Sequence, residues 1–383
     1  MIGARHQRPK TRRFTLRWNI CPVLGSVGPS DEMLVNGIRS REAACLPHSN
    51  QLWGFDMKRF FRGVALAGAI VIAGYPDAAT AQSAAEPDLF RVTLLGTGGP
   101  DPSPDRFSAS TLIEAGSHKI LIDAGRGATI RLSQLHIPLG RIEVLFLTHY
   151  HSDHTIGIPD LWLTGWLPPP FGQRKSPLGV IGPVGAVELM SNLEHAYAAD
   201  IKIRMADQKL TREGLELKVE EFTKDGIVYE KDGLRVTAFE VNHGDEVKPA
   251  YGYRVDYAGH AIVISGDTRL NENVIKYGTG ADLLVHEVFA VKPELMKSPA
   301  IQTIAAHHVT PQEAGAAFSR AHPKLAAYTH LSVIGTPTLP SVTADEIVAQ
   351  TRETYKGPLV VGEDLMAFEI GADGVAVYRR GAH

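Results

Sequence analysis

The sequence predicts an α/β fold, one layered domain of about 300 residues behind a differently composed first fifth. Three observations lead there. Short apolar runs of β type alternate with amphipathic helical stretches in both halves of the chain. Gly, Pro and Asp punctuate the boundaries between them. The composition is that of a globular protein, 44% apolar, 21% charged and 7% aromatic over 383 residues, which excludes a disordered chain, a collagen-like repeat and a coiled coil. Two cysteines exclude a disulfide framework and any cysteine-built zinc site.

Residues 1–56 carry no periodic apolar pattern and hold both cysteines, Cys21 and Cys45. Residues 57–81 read as a secretory signal peptide: Met57, a basic cluster (Lys58, Arg59, Arg62), an apolar run from Gly63 to Gly74, then Ala79 and Ala81 before a cleavage point. Twelve apolar residues are too few to span a bilayer, so no stable membrane anchor is expected. The expectation is a true start at Met57 with 1–56 a mis-called extension, a linker at 82–88, a hydrolase domain at 89–383, and a periplasmic or secreted protein. Residues 1–81 hold 11 of the 39 Lys+Arg and 5 of the 42 Asp+Glu, which leaves 28 against 37 and a net charge of −9 in the remainder. That balance disfavours a nucleic-acid partner, because affinity for a phosphate backbone comes from Lys and Arg.

Within the domain, strands are expected at Arg91–Thr97, Thr111–Ala115, Lys119–Asp123 and Val144–Thr148, and helices at Ala128–Leu135, Val184–Tyr197 and Gln312–Arg320. A second β-rich stretch begins near Leu215. Its clearest hairpin runs through 251–267 around Ala258-Gly259, and a last pair, Leu365–Ile370 and Val375–Tyr378, closes around Ala372-Asp373-Gly374.

The chemistry concentrates after Val144–Thr148, in His149-Tyr150-His151-Ser152-Asp153-His154. At a strand end residues two apart point the same way, so His149 and His151 can share one metal. The following turn re-aims Asp153 and His154 toward a second. Imidazole and carboxylate suit zinc, and two adjacent ions can clamp the attacking and leaving oxygens of a hydrolysis.

TLLGTGG (93–99), LIDAG (121–125) and THYHSDHTIG (148–157) together resemble the metallo-β-lactamase superfamily. VNHGDEVKPAYGYRV (241–255), ISGDTR (264–269), LLVHEVF (283–289), HHVTPQEAG (307–315) and YTHLS (328–332) narrow the resemblance to its RNase Z and zinc-arylsulfatase branch. The resemblance implies an αβ/βα four-layer sandwich and two Zn2+ ions, with Mn2+ or Fe2+ as alternatives. It implies His149, His151 and His243 on the first ion, Asp153, His154 and His330 on the second, and Asp267 bridging them. It further implies Asp153 as the group that orients or deprotonates a metal-activated water, His308 as general acid with Glu287 as its carboxylate partner, and Asp123 as a buried support for the metal loops. By analogy with the branch a homodimer is expected.

The chain also departs from an RNase Z. No room is left after GYRV for a tRNA-gripping arm, and His286-Glu287-Val288-Phe289 lacks the usual threonine. With export and the acidic remainder, these departures favour an exported hydrolase of small-molecule sulfate or phosphate esters, arylsulfatase- or phosphodiesterase-like. An RNase Z-type RNA 3′-processing endonuclease is the alternative, ahead of a lactonase or β-lactamase. Trp162, Trp166 and Phe171 around a triple proline have two readings, core packing or an apolar wall beside the metals that favours aryl leaving groups.

Overall fold

The computed structural model describes residues 89–379, all within the unit Asp77–His383. The extension, the signal-peptide pattern and the linker, residues 1–88, lie outside the described residues. Among the described residues no helix is long and apolar enough to cross a membrane.

The first half of the domain builds one sheet. In chain order it comprises β1 (Phe90–Gly96), β2 (Ser110–Ala115), β3 (His118–Ile122), α1 (Ala128–Gln134), β4 (Val144–Phe146), α2 (Ser152–Thr155), α3 (Ile158–Trp166), β5 (Leu178–Pro183), α4 (Ala186–Ala196), α5 (Ala198–Asp207) and β6 (Leu217–Phe222). The second half builds another, with β7 (Gly226–Lys231), β8 (Leu234–Glu240), β9 (Tyr251–Tyr257), β10 (His260–Ile264), α6 (Glu272–Gly278), β11 (Leu283–Val291), α7 (Pro299–Ala305), α8 (Pro311–Ala321), β12 (Leu325–Ile334), α9 (Ala344–Thr351) and β13 (Leu359–Val361). The last two strands, β14 (Ala367–Gly371) and β15 (Gly374–Tyr378), return to the first sheet. Its order is β15-β14-β1-β2-β3-β4-β5-β6, and the second sheet runs β13-β12-β11-β10-β9-β8-β7.

The layers follow from which side of each strand is apolar. Phe90, Val92, Ile113, Phe146, Val236, Tyr253, Ile262 and Val285 form one core between the sheets. The opposite face of the first sheet buries Leu95, Leu121 and Leu145 against α1, α3 and α4. That of the second buries Val263, Leu284 and Ala326 against α6, α8 and α9. Strands buried on both faces read as continuous apolar runs, and such runs need helices on the outside. The result is the expected αβ/βα four-layer sandwich.

Turn chemistry matches the expected hairpins. Ala258 and Gly259 both adopt positive φ (50° and 82°) between β9 and β10, the two-residue turn that suits right-twisted strands. Helix α8 starts with a capping box in which Thr310 and Glu313 exchange hydrogen bonds, with Pro311 at its first position.

The indoles of the third helix settle one alternative. Trp162 and Trp166 are buried in the core under the first sheet, and their Nε1–H groups donate to the carbonyls of Leu215 (2.7 Å) and Thr211 (2.8 Å). Phe171 is more than half exposed and borders a separate groove with Ile130 and Pro138. None of the three walls the metal-ligand cluster, because α3 turns its apolar stripe toward the sheet that carries it.

A buried network ties the return of the chain to the first motif. Asp364 accepts hydrogen bonds from the Thr97 amide (2.9 Å), the Thr97 hydroxyl (2.7 Å) and the Phe107 amide (2.8 Å), and pairs with Arg131 at 2.8 Å. Asp364→Ala leaves a buried guanidinium without its partner. It is expected to cost about 3–5 kcal/mol, read from urea unfolding; a loss under about 1 kcal/mol would show the network to be dispensable.

Candidate metal centre

Every predicted site residue lies at one end of the sandwich, where strands of both sheets finish. His149 and His151 follow β4, Asp153 and His154 occupy α2, His243 follows β8, Asp267 follows β10, Glu287 belongs to β11, and His330 to β12. His308 stands between α7 and α8.

The register explains how His330 leaves a strand that is otherwise core. Between β11 and β12, Glu287 pairs with Thr329 but Val288 pairs with Leu331, so His330 is the extra residue of a bulge. Its φ is +42°, as Asp123, at the end of β3, sits at +59°. Both are non-glycine residues held in a sparsely populated region, and a bulge is a device for re-aiming a side chain. Gly125 admits the metal loop to the sheet: a Cβ there would fall 2.3 Å from the Asp153 carbonyl.

Asp267 is the centre of the cluster. Its Oδ2 lies 3.2 Å from Nε2 of His330, 3.4 Å from that of His154, 3.7 Å from that of His243 and 4.0 Å from that of His149. His151 completes the ring through Nδ1, 3.0 Å from His149 Nε2 and 3.2 Å from His243 Nε2. Asp153 Oδ2 stands 3.2 Å from His330 Nε2 and 3.6 Å from His154 Nε2. All of these are buried except His151, which is exposed at its edge.

The remote ring nitrogens are tethered, which aims the others inward. His154 Nδ1 donates to Asp123 Oδ2 (2.7 Å), and His243 Nδ1 donates to the His307 carbonyl (3.0 Å). The Thr148 hydroxyl donates to Asp123 Oδ2 (2.8 Å) and lies 3.0 Å from His149 Nδ1; Ser332 Oγ lies 3.3 Å from His330 Nδ1. Such partners fix the tautomer of a ligating imidazole. Thr148, Ser332 and the His307 carbonyl are the parts that the sequence reading missed. The two hydroxyls sit inside THYH and THLS, where a polar neighbour of a ligand histidine could have flagged them. A carbonyl has no residue-type signal.

The donor set fits a divalent metal. Imidazole lone pairs face one another around a buried carboxylate, and His154 Nε2 has no hydrogen-bond partner among the described residues. Burial pushes the His243 pKa down to about 4 and lowers those of His149 and His151, so these rings are neutral donors. Burial opposes charge on Asp267 too, but the surrounding imidazoles, His330 and His154 foremost, hold its carboxyl well below the usual range.

Beside the cluster Glu287, wholly buried, accepts from His308 Nδ1 (3.0 Å) and from the amides of Thr268 (3.0 Å) and Val309 (3.3 Å). The His308 ring stacks on His330 at 5.7 Å and on Phe289 at 6.2 Å. Burial works against a charged His308, but Glu287 outweighs it and raises the imidazole to about 9. A cavity of about 450 Å3 opens on His151, Asp153, His243, Asp267, His308 and His330. A buried, nitrogen-rich cation site with an imidazole–carboxylate pair at its edge is equipped for metal-dependent hydrolysis.

Residues 118–331 match the family model described as Beta-lactamase superfamily domain. The chain is 32% identical to the ribonuclease Z of Mycobacterium marinum (strain ATCC BAA-535 / M) over 286 residues, which cover 74% of this chain and 100% of that protein. The chain belongs to the metallo-β-lactamase superfamily, in its RNase Z branch. It is similar in fold to two solved structures, the metallo-β-lactamase fold protein YhfI from Bacillus subtilis (TM-score 0.56, 21% identity, 74% of this chain and 100% of that one) and the short form of human tRNase Z (TM-score 0.54, 24% identity, 72% and 98%).

These relatives correct the expected substrate. An exported arylsulfatase- or phosphodiesterase-like enzyme for small sulfate or phosphate esters was inferred from the missing arm, the altered HEVF segment and the acidic balance. The two-residue turn between β9 and β10 confirms that no arm is present there. Yet the mycobacterial ribonuclease Z aligns over its whole length with this chain, and that similarity outweighs the missing arm. Net charge fails for a different reason. It is summed over the whole surface, whereas a substrate meets the ground around the cavity, where Arg106 and Asp101 line the wall and Arg126 reaches the carbonyl of Pro100 at its edge.

Asp123 carries the tether of His154 and the Thr148 hydroxyl. Asp123→Ala is expected to weaken retention of divalent metal about 10–100-fold in competition with a chelator. Unchanged retention would remove Asp123 from the support of the site.

Proposed function

We propose that this chain is an RNase Z-type endonuclease that processes the 3′ ends of RNA by hydrolysing a phosphodiester bond at a two-metal centre. The observation that carries the reading is the similarity to a ribonuclease Z over that protein's whole length, and the cluster of imidazoles and carboxylates supports it. His149, His151 and His243 would hold one ion, Asp153, His154 and His330 the other, with Asp267 between them. Zinc suits the imidazole-rich set, and Mn2+ or Fe2+ are the alternatives. Bound there, the ions supply Lewis acidity to the phosphoryl group and to the attacking water.

The protein's own groups handle the protons. Burial favours a neutral Asp153, but the His330 hydrogen bond opposes it and favours the carboxylate, so Asp153 is able to orient the water and take its proton. His308, charged and fixed through Nδ1 by Glu287, has Nε2 left to protonate the leaving oxygen. Nearby cations would drive the proton off His308, and the Glu287 carboxylate opposes that loss.

The metal-loaded protein is expected to cut a precursor tRNA carrying a 3′ trailer at one position, with Asp267→Ala as the inactive control. An intact precursor in the presence of bound metal would overturn the reading. His308→Ala is expected to lower kcat/KM about 10²–10⁴-fold. The general acid acts when protonated, so activity falls as pH rises through the His308 pKa. Glu287→Gln removes the charge that raises this value, and the basic limb of the profile is expected to move down by about one pH unit or more. A limb that stays in place would assign it to another group.

Export through residues 57–81 is a separate proposal. N-terminal sequencing of the protein from its host supports it if the chain begins near residue 82, and removes it if the chain begins near Met1.

A further inference from the structure

One side of the cavity is not used by the proposed chemistry. Ile304 near the end of α7 and Val333 and Ile334 at the end of β12 form an apolar wall, with buried Leu331 behind them. Gly99 also lines the cavity, at a point where a side chain would crowd the metal-ligand cluster. A Cβ there would fall 3.1 Å from Ser332 Oγ and 3.3 Å from the His330 ring. Ser103 and Arg106 add polar groups to the lining. Arg106 is held through Nη1 by the Thr97 hydroxyl and the Gly362 carbonyl, each at 2.7 Å.

We propose that the wall of Ile304, Val333 and Ile334 is a base-binding subsite for one nucleotide flanking the scissile phosphodiester, an inference that rests on the RNA-cleaving reading above. The cavity has three kinds of surface in one space: a cation-binding cluster for a phosphate, polar groups for a ribose, and an apolar side for a base. Its volume of about 450 Å3 suits one nucleotide and is too small for a stacked duplex. A base that enters must therefore leave its stack, which favours a single-stranded end. Ile and Val side chains carry no hydrogen-bonding group, so the wall holds a base by its apolar face and leaves its edges unread. Affinity then depends on having a base, not on which base it is.

Calorimetric binding to the metal-loaded protein separates these contributions. Adenosine 5′-monophosphate, uridine 5′-monophosphate and ribose 5-phosphate share a sugar phosphate with and without a base. Both nucleotides are expected to bind about tenfold tighter than ribose 5-phosphate, and within about threefold of each other. Ile304→Ala and Val333→Ser, on separate elements, are each expected to cut that ratio at least threefold. Using the ratio cancels any loss shared by all three ligands, and either variant suffices if the other does not fold. A ratio near one in the unmodified protein, a ratio retained in both variants, or a strong preference between the two bases overturns the subsite. Failure of the RNA reading looks different: precursor RNA stays uncut while the base-dependent ratio stands.

Discussion

Asp267 is a buried carboxylate with four imidazole nitrogens within 4.0 Å, and the rest of the structure is arranged to make that placement tolerable. A buried charge is costly unless it is paired and hydrogen-bonded. Here the pairing comes from rings delivered by the ends of β4, β8 and β12 and by α2, so both sheets contribute. The two sheets therefore cannot slide or splay without opening the cluster, and the apolar core between them, from Phe90 to Val285, resists both.

Precision at the centre depends on a ring of tethers around it. Asp123 holds His154 and Thr148; the His307 carbonyl holds His243; Glu287 holds His308 and two backbone amides. Two of the residues concerned, Asp123 and His330, stand at positive φ. The strain is local, and the packed sheets on either side stabilise it. Asp123 and Glu287 are buried where water cannot substitute for them, so each acts through the geometry it imposes on a neighbouring imidazole.

The error of the sequence reading lay in the substrate. Net charge is a property of the chain as a whole and the missing arm of one hairpin, while substrate choice is made within the cavity. The Trp162–Phe171 segment, adjacent in sequence to the metal loop, left two readings open, core packing or a wall beside the metals. In the fold α3 packs its indoles under the first sheet, and the apolar side of the cavity comes instead from α7 and β12, more than 130 residues further along.

The sequence by itself determined the fold class, because two-sided apolar strands alternating with amphipathic helices have few ways to bury themselves. It also determined the whole set of candidate ligands, His149, His151, Asp153, His154, His243, Asp267 and His330, along with His308 and Glu287. Imidazole and carboxylate at strand ends are visible as residue types, and the motifs around them come in a recognisable order. Only the tertiary structure decided that Asp267 lies at the centre, that His330 is turned inward by a bulge, that a carbonyl at His307 fixes His243, and which apolar residues face the cavity. These are matters of register, backbone dihedral and long-range packing. They depend on which strand ends meet in space, and no local pattern of residues encodes that.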